Sequence, residues 1–157
     1  MTATRSWARG LPVGALVTRP LEDGFAPGDH GTTFGGSPPL AAAALAVLDT
    51  IAAERLVENA AAVGDHLRQA LTALPGVRDV RGLGLLLGVE LRDGDASGVA
   101  ARLLDEQRVV VNAVTPTALR LCPPLCLTRG DADRAVEALA AVLGDPTPDG
   151  AAGARPA

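Results

Sequence analysis

The sequence contains no lysine and no tyrosine, and all fourteen of its basic residues are arginine. An arginine guanidinium stays protonated and is not a usable nucleophile, so no side chain of this chain can form a Schiff base with an aldehyde. Aromatic residues are scarce, with one Trp and two Phe, so Ala, Leu and Val must fill the core. The net charge of −4, without a basic stripe, excludes an electrostatic attraction for nucleic acid.

Long apolar runs are also missing. The longest, at residues 39–48, is too short to span a bilayer, and no N-terminal stretch is typical of a signal peptide. We therefore predict a cytoplasmic protein that binds neither membrane nor nucleic acid.

Potential metal ligands and cysteines are few. The two histidines, His30 and His66, are too few and too far apart to suggest a metal site, so we predict none. Cys122 and Cys126 fall on one predicted strand, and we expect two buried, reduced thiols rather than a disulfide.

From residue 37 onward, helical and strand patterns alternate. A long helix begins at Ser37, with Pro38 in its first turn, and ends at residues 74–76, with a possible break near residues 54–56 where the apolar phase shifts. Strands follow on both sides of a glycine turn, then a helix that Ser97 caps and that ends at Gln107. Strands at 108–114 and 117–125 precede a last helix that starts at residues 128–131.

This order predicts an α+β fold, with a small antiparallel or mixed sheet and helices on one face. The preceding strand at residues 10–20 and the loop at residues 21–36 do not belong naturally to that sheet. The tail at residues 146–157 is rich in Pro, Gly and Ala, and we predict that it is disordered.

The segment GLGLLLG at residues 82–88 contains the G-x-G of a dinucleotide-binding turn. That fingerprint requires a helix directly after the glycines, whereas LLLGVEL is typical of a strand. A glycine hairpin turn therefore explains this segment better.

Arg120 lies inside the otherwise apolar strand ALRLCPPL. An unpaired charge is costly there, so two explanations are open. The side chain extends to water from an edge strand, or its planar guanidinium clamps a carboxylate through two parallel hydrogen bonds. The spacing alone favours neither.

HGTTFGGSPP, residues 30–39, combines hydroxyls and glycines directly before a helix. Such a loop can offer hydrogen-bond donors to a phosphate or a carboxylate, because the free N–H groups and the dipole at the start of a helix favour an anion. It is equally typical of a capping loop.

Five segments occur in an order that resembles the C-terminal part of class III pyridoxal-phosphate-dependent aminotransferases, over about residues 10–143. Within this family they are most similar to the acetylornithine aminotransferases of arginine biosynthesis. The segments are GLPVGA, HGTTFGGSPPLAAAALAVLDTI, VRGLGLLLGVEL, VVVNAV and LRLCPPL.

The resemblance implies roles for three residues. In the family the H-G-[ST]-T-[FY]-G-G-N-P segment lies at the dimer interface, and the residue that matches Thr33 binds the cofactor phosphate in the partner subunit's site. The residue that matches Thr32 lies beside the substrate. Arg120 matches the arginine of R-x-x-P-P-L, which binds the substrate α-carboxylate. The family asparagine after the glycines is Ser37 here, which still offers a capping oxygen.

The sequence departs from the family upstream. The position of the Schiff-base lysine falls on Arg5, so no catalytic residue can be assigned, and the family's cofactor-ring aspartate and phosphate-binding glycine turn would precede Met1. The resemblance therefore implies a C-terminal fragment that is inactive alone and binds pyridoxal 5'-phosphate weakly or not at all. We expect a homodimer or a complementary N-terminal half as its partner.

The implied fold is the small C-terminal domain of a fold-type I pyridoxal-phosphate transferase with a remnant of the large domain. Residues 1–36 would be that remnant, 37–145 the small domain with its connecting helix, and 146–157 a tail. The implied reaction transfers the amino group of N-acetylornithine, or of a related ω-amino substrate such as ornithine or 4-aminobutyrate, to 2-oxoglutarate. The alternative is a non-catalytic dimerisation or regulatory module derived from an aminotransferase.

Overall fold

The computed structural model describes residues 2–3, 16–17, 26, 28–29, 31, 33 and 35–144. The chain divides into two compact units, Met1–Leu56 and Val57–Ala157, which are described separately below.

Among its described residues, the first unit has one short strand pair and one helix. Strands β1 (Thr2–Ala3) and β2 (Leu16–Val17) pair antiparallel. Helix α1 spans Pro38–Ala53. The strand predicted at residues 10–20 is therefore described only at its Leu16–Val17 part, and its other residues lie outside the described ones.

Helix α1 starts where the sequence predicts, but for a different reason. The backbone carbonyl of Ser37 accepts a hydrogen bond from the N–H of Ala41 at 2.9 Å, which closes the first helical turn. The Ser37 side chain makes no capping hydrogen bond, so its expected role as a cap oxygen is wrong. Two prolines at the first helical positions pre-set the backbone dihedral instead.

The long predicted helix is two helices. Helix α1 ends at Ala53, and α2 spans Leu56–Thr72. Arg55 between them has a φ of 52°, in the left-handed region where a helix cannot continue. The break predicted near residues 54–56 is thereby confirmed.

The second unit is an α+β structure. Strands β3 (Val77–Leu83), β4 (Leu86–Leu91), β5 (Asn112–Ala113) and β6 (Ala118–Leu121) form one sheet in the order β3-β4-β6-β5, with every neighbouring pair antiparallel. Helix α3 spans Ala96–Gln107, and α4 spans Arg129–Gly144. The predicted fold class is confirmed, and the sheet is antiparallel rather than mixed.

The core lies between the helices and one face of the sheet. Alternate residues of β4 are fully buried because successive strand side chains point to opposite faces. The helices α2, α3 and α4 each contribute leucines to the same core, so none of these three helices covers the opposite face of the sheet. The largest buried side chains are Leu67, Leu71, Leu87, Leu91, Leu103, Leu119, Val77, Val89 and Val142.

The hairpin between β3 and β4 depends on three glycines. Gly82 and Gly84 have φ values of 140° and 54°, which side-chain-bearing residues rarely adopt. Gly64 on α2 lies against this turn, and a Cβ there would stand 2.2 Å from the carbonyl oxygen of Gly84. The hairpin interpretation is confirmed, and a dinucleotide-binding turn is excluded because strand β4 follows the glycines directly.

The predicted boundaries near α3 need correction. Asp95, not Ser97, caps this helix, since its Oδ1 accepts a hydrogen bond from the N–H of Gly98 at 2.9 Å. The strand predicted at residues 108–114 pairs only over Asn112–Ala113. The last helix begins at Arg129 as predicted, with the Thr128 hydroxyl accepting from the N–H of Asp131 at 3.1 Å.

The two cysteines are not where the sequence predicts them. Strand β6 ends at Leu121, and both Cys122 and Cys126 are exposed in the segment that follows, with free thiols. The prediction of free thiols is confirmed, but the prediction that they are buried on one strand is wrong, because Pro123 and Pro124 cannot donate to a ladder and the strand stops before them.

Candidate functional site

Thr33 lies in an exposed loop of the first unit. The described parts of this loop are a turn at Ala26 and Asp29, where the Asp29 carboxylate accepts from the Ala26 N–H at 2.8 Å, and the glycines that lead into α1. Gly36 has a φ of 70°, so glycine is required for the chain to turn into the helix. Thr33 itself is exposed.

The start of helix α1 is a poor anion site by itself. Pro38 and Pro39 occupy its first two positions and have no N–H to donate. Two of the four donors that normally make a helix N-terminus attractive to phosphate are therefore missing. The Thr33 hydroxyl is the more suitable donor in this loop.

Two residues assigned by resemblance, Arg5 and Thr32, lie outside the described residues. Thr33 and Arg120 belong to different units, and each is therefore considered with its own surroundings.

Arg120 lies in strand β6, on the face of the sheet away from the core, which is called the open face below. The register pairs it with Gly88 of β4 on one side and with Asn112 of β5 on the other. Residues directly opposite each other on antiparallel strands share a face, so all three lie together on the face away from the core. Arg120 is exposed, and its Nη2 donates a long hydrogen bond of 3.4 Å to the Asn112 Oδ1.

The charge of Arg120 is not compensated by an acid. Across the described residues, the structure pairs its guanidinium with Asn112 and with no carboxylate. Other arginines of the same unit behave differently: Arg78, Arg81 and Arg134 each pair with a carboxylate. Arg120 is thus a sheet cation that remains available for an anionic ligand.

Gly88 leaves space beside Arg120. It has no side chain, and a Cβ placed on it would make only an ordinary contact, 3.7 Å, with the Cγ of Arg81 on β3. Arg81, Gly88, Arg120 and Asn112 therefore form one row across the four strands. Two arginines in this row flank a position with no side chain.

A groove of about 1040 Å³ extends from Arg120 within the second unit. Its polar lining includes Arg120, Asn112 and, on α4, Asp131 and Glu137, and its apolar lining comes from β6, α2, α4 and the segments before β5 and α4. Apolar lining residues include Leu67, Val111, Leu121, Leu127 and Ala138. The groove gives Arg120 a concave, partly apolar surrounding of the kind that small-molecule sites have.

Glu90 forms a charged cluster that the sequence analysis missed. Its side chain is on the open face, yet the residue is only 6% exposed. Its carboxylate accepts hydrogen bonds from Thr117 Oγ1 at 2.5 Å, Arg78 Nη2 at 2.9 Å and Arg81 Nη2 at 3.0 Å. The Thr117 hydroxyl, followed by the positive charges of the two arginines, lowers the pKa of Glu90 against the opposing effect of burial.

This cluster could not be found from spacing. Its members come from β3, β4 and the segment before β6, so only the strand register brings them together. Glu90 holds Arg81 beside Gly88, and it pairs with Arg78 and Arg81 rather than with Arg120.

Neither a metal centre nor a membrane span is found in the part of the chain that the structure describes. There, no three His, Cys, Asp or Glu side chains are grouped so that they could hold a metal ion. None of the described helices has the length and apolar character needed to cross a bilayer.

Comparison with known sequences identifies relatives over nearly the whole chain. The family model "Aminotransferase class-III" matches residues 1–143. Acetylornithine aminotransferase 1 of Bordetella bronchiseptica is 42% identical over 148 residues, which are 91% of this chain and 37% of that protein. Acetylornithine aminotransferase of Mycobacterium tuberculosis is also 42% identical, over 146 residues that are 91% of this chain and 36% of that protein.

Comparison with solved structures gives the same family. Ornithine delta-aminotransferase of Plasmodium falciparum superposes with a TM-score of 0.66 at 31% identity, covering 76% of this chain and 32% of that one. An (S)-enantioselective omega-transaminase of Thermomicrobium roseum gives a TM-score of 0.61 at 39% identity, covering 73% and 29%. This chain spans little more than a third of the length of the curated relatives it matches. The chain belongs to the class III aminotransferase family.

Proposed function

We propose that this chain is the C-terminal part of a pyridoxal-phosphate-dependent aminotransferase that transfers the amino group of N-acetylornithine, or of a related ω-amino substrate, to 2-oxoglutarate. The observation that carries the proposal is Arg120, an exposed cation on the open face of the sheet, beside a groove and without a carboxylate partner among the described residues. Support for the substrate comes from the relatives that bear the name acetylornithine aminotransferase.

Arg120 binds the α-carboxylate of the substrate in this proposal. Its planar guanidinium presents parallel N–H groups that match the two oxygens of a carboxylate. Strand β6 lies inside the sheet between β4 and β5, so its backbone is fixed by ladders on both sides. The clamp is therefore held on a rigid element, as precise positioning requires.

The residues of this chain fit only part of the cofactor. Thr33 is exposed, and its hydroxyl would suit the phosphate of pyridoxal 5'-phosphate, in trans at a dimer interface, while Thr32 would lie beside the substrate. The aldehyde of the cofactor requires an amine, however, and the sequence contains no lysine. The residues of this chain therefore do not fit the whole cofactor, and no chemical step on the cofactor is assigned to this chain.

We infer that the chain alone is inactive and that a lysine-bearing N-terminal half, in a second polypeptide or a longer one, completes it. The division into residues 1–36, 37–145 and 146–157, a homodimeric assembly and a cytoplasmic location remain parts of this proposal. Ornithine and 4-aminobutyrate remain alternative amino donors.

The missing lysine also favours a second candidate, a non-catalytic dimerisation or regulatory module derived from an aminotransferase. Such a module would retain the interface loop with Thr33 and would act by binding a partner. Supplying a lysine would not give such a module transaminase activity.

Complementation separates the two candidates. The chain is co-expressed with the part of the Bordetella bronchiseptica relative outside the matched 148 residues, and glutamate formation from N-acetylornithine and 2-oxoglutarate is measured. We expect activity in the complex, and kcat/KM should fall about 100-fold or more in Arg120→Ala, since two charge-assisted hydrogen bonds are lost.

The matched control is Arg129→Ala, which removes an exposed arginine at the start of α4. Its kcat/KM should stay within about twofold of the unsubstituted complex. A stable complex that binds pyridoxal 5'-phosphate but transaminates none of the three amino donors would refute the enzymatic proposal and favour the regulatory module. Equal activity in the Arg120 and Arg129 variants would refute the clamp.

A further inference from the structure

We infer that Asn112 is a positioning residue for the carboxylate clamp, which orients the Arg120 guanidinium without neutralising it. This inference rests on the proposed function, because it concerns the same site. It begins with the register: Asn112 on β5 is the direct cross-strand partner of Arg120 on β6, and the next pair, Ala113 with Leu119, fixes the alignment.

The neighbours of Arg120 on its own face explain why one amide matters. On the β4 side the neighbour is Gly88, which offers no side chain to hold the guanidinium. On the β5 side Asn112 Oδ1 accepts the hydrogen bond from Arg120 Nη2 at 3.4 Å. Within the described part of the chain, Asn112 thus holds the exposed Arg120 side chain by a hydrogen bond. Without this bond, the Arg120 side chain would be free to sample many rotamers.

An amide suits this position better than its alternatives. A carboxylate at residue 112 would form an ion pair with Arg120 and would compete with the carboxylate of the substrate. An apolar residue would leave the guanidinium mobile, and the ligand would have to order it on binding. Asn112 accepts from Arg120 through its oxygen and keeps two N–H donors that can reach a carboxylate oxygen in the groove they both line.

The geometry separates this role from the Glu90 cluster. Arg78 and Arg81 are fixed by a carboxylate and are therefore charge-compensated. Arg120 is fixed by a neutral group, so its positive charge stays available. The two arginines of β3 are thus held by a carboxylate, whereas Arg120 of β6 is held by an amide.

The test uses the full 157-residue chain and two NMR readouts. The order parameter of the Arg120 Nε–H bond reports whether the guanidinium is held, without any ligand. Titration with 2-oxoglutarate, followed at this resonance and at the backbone amides of β5 and β6, reports the affinity for a carboxylate, and in Arg120→Ala the backbone amides alone are followed. The variants are Asn112→Ala, Asn112→Asp and Arg120→Ala, and the control is Val114→Ala, which truncates an exposed side chain beyond the other end of β5.

We expect Asn112→Ala to lower the order parameter into the flexible range, below about 0.6. The dissociation constant for 2-oxoglutarate should rise about three- to tenfold, as the loss of one hydrogen bond implies. Asn112→Asp should keep the guanidinium ordered but raise the dissociation constant by about tenfold or more, most strongly at low salt. Val114→Ala should change neither readout.

An unchanged order parameter and dissociation constant in Asn112→Ala, with binding lost in Arg120→Ala, would overturn the inference and leave the clamp standing. Binding that survives Arg120→Ala, or an unsubstituted chain that does not respond to 2-oxoglutarate, would overturn the clamp itself. The order parameter provides the second check, because a purely structural role for Asn112 predicts no loss of order at the Arg120 Nε–H bond in Asn112→Ala.

Discussion

At the level of single residues, Glu90 shows how this sheet tolerates a charge that is nearly removed from water. A buried carboxylate is costly unless hydrogen bonds and opposite charges compensate it. Thr117, Arg78 and Arg81 supply both. The cluster fastens β3 to β4 and to the segment before β6 on the side of the sheet away from α2, α3 and α4.

This arrangement predicts a specific acid sensitivity. The pKa of Glu90 lies below its usual value of 4.5, with the Thr117 hydrogen bond as the first cause. A lowered pKa means that the carboxylate stabilises the fold above pH 4.5, and that this stabilisation is lost as the pH falls through the lowered value. The free energy of unfolding by urea should therefore decrease over that acid range.

The decrease should be smaller in Glu90→Gln, which cannot titrate, and in Thr117→Val, which loses the first cause of the lowered pKa. Thr72→Val is the matched control, since its hydroxyl bonds the Arg68 carbonyl away from the cluster. Parallel pH profiles for all four proteins would contradict the assignment.

Gly64 is a second residue whose importance depends on a close approach. A Cβ at this position would stand 2.2 Å from the carbonyl oxygen of Gly84, which is backbone and cannot rotate away. We predict that Gly64→Ala lowers the free energy of unfolding by about 1–3 kcal/mol, as overpacking does.

Gly88→Ala is the control for stability, because its Cβ would meet nothing closer than 3.7 Å. Chemical denaturation of the two variants should show a loss for residue 64 and a change within about 0.5 kcal/mol for residue 88. Equal losses would mean that α2 adjusts to the added methyl group.

At the level of elements, helix α3 offers a direct comparison of two candidate caps. Asp95 accepts the Gly98 N–H, whereas Ser97 is an exposed residue of the first helical turn. Asp95→Ala should lower the free energy of unfolding by about 1 kcal/mol, since an orphan N–H loses its acceptor. Ser97→Ala should change it by less than about 0.5 kcal/mol. The reverse order in denaturation experiments would show that Ser97 is the cap.

At the level of the whole molecule, the composition makes a chemical prediction. The chain has no lysine, so borohydride reduction with pyridoxal 5'-phosphate should leave no cofactor on any side chain of the purified protein. In the complemented complex, mass-spectrometric mapping should find the cofactor on a lysine of the added part. A label on a side chain of this chain would contradict its inferred inactivity.

The exposed apolar side chains of this chain agree with its matching only part of the length of its relatives. Leu83, Leu86 and Val110 are large apolar side chains with 89%, 56% and 78% of their surface exposed. Leu83 and Leu86 face each other at the end of the β3–β4 hairpin, and neighbouring exposed apolar side chains are typical of surfaces that contact another part of a protein.

The sequence by itself determined that no side chain of this chain can form a Schiff base, because this depends on composition alone. It also determined the order of the helices and strands, the glycine hairpin and the helix break near Arg55, because each of these depends on residues close together along the chain. Through its resemblance to the family it also singled out Arg120. The tertiary structure alone decided the neighbours of that arginine, the cluster around Glu90, the cap at Asp95 and the exposure of both cysteines. The physical reason is that strand register and strand ends depend on packing between distant segments, and a shift of one residue would place every side chain of a strand on the other face.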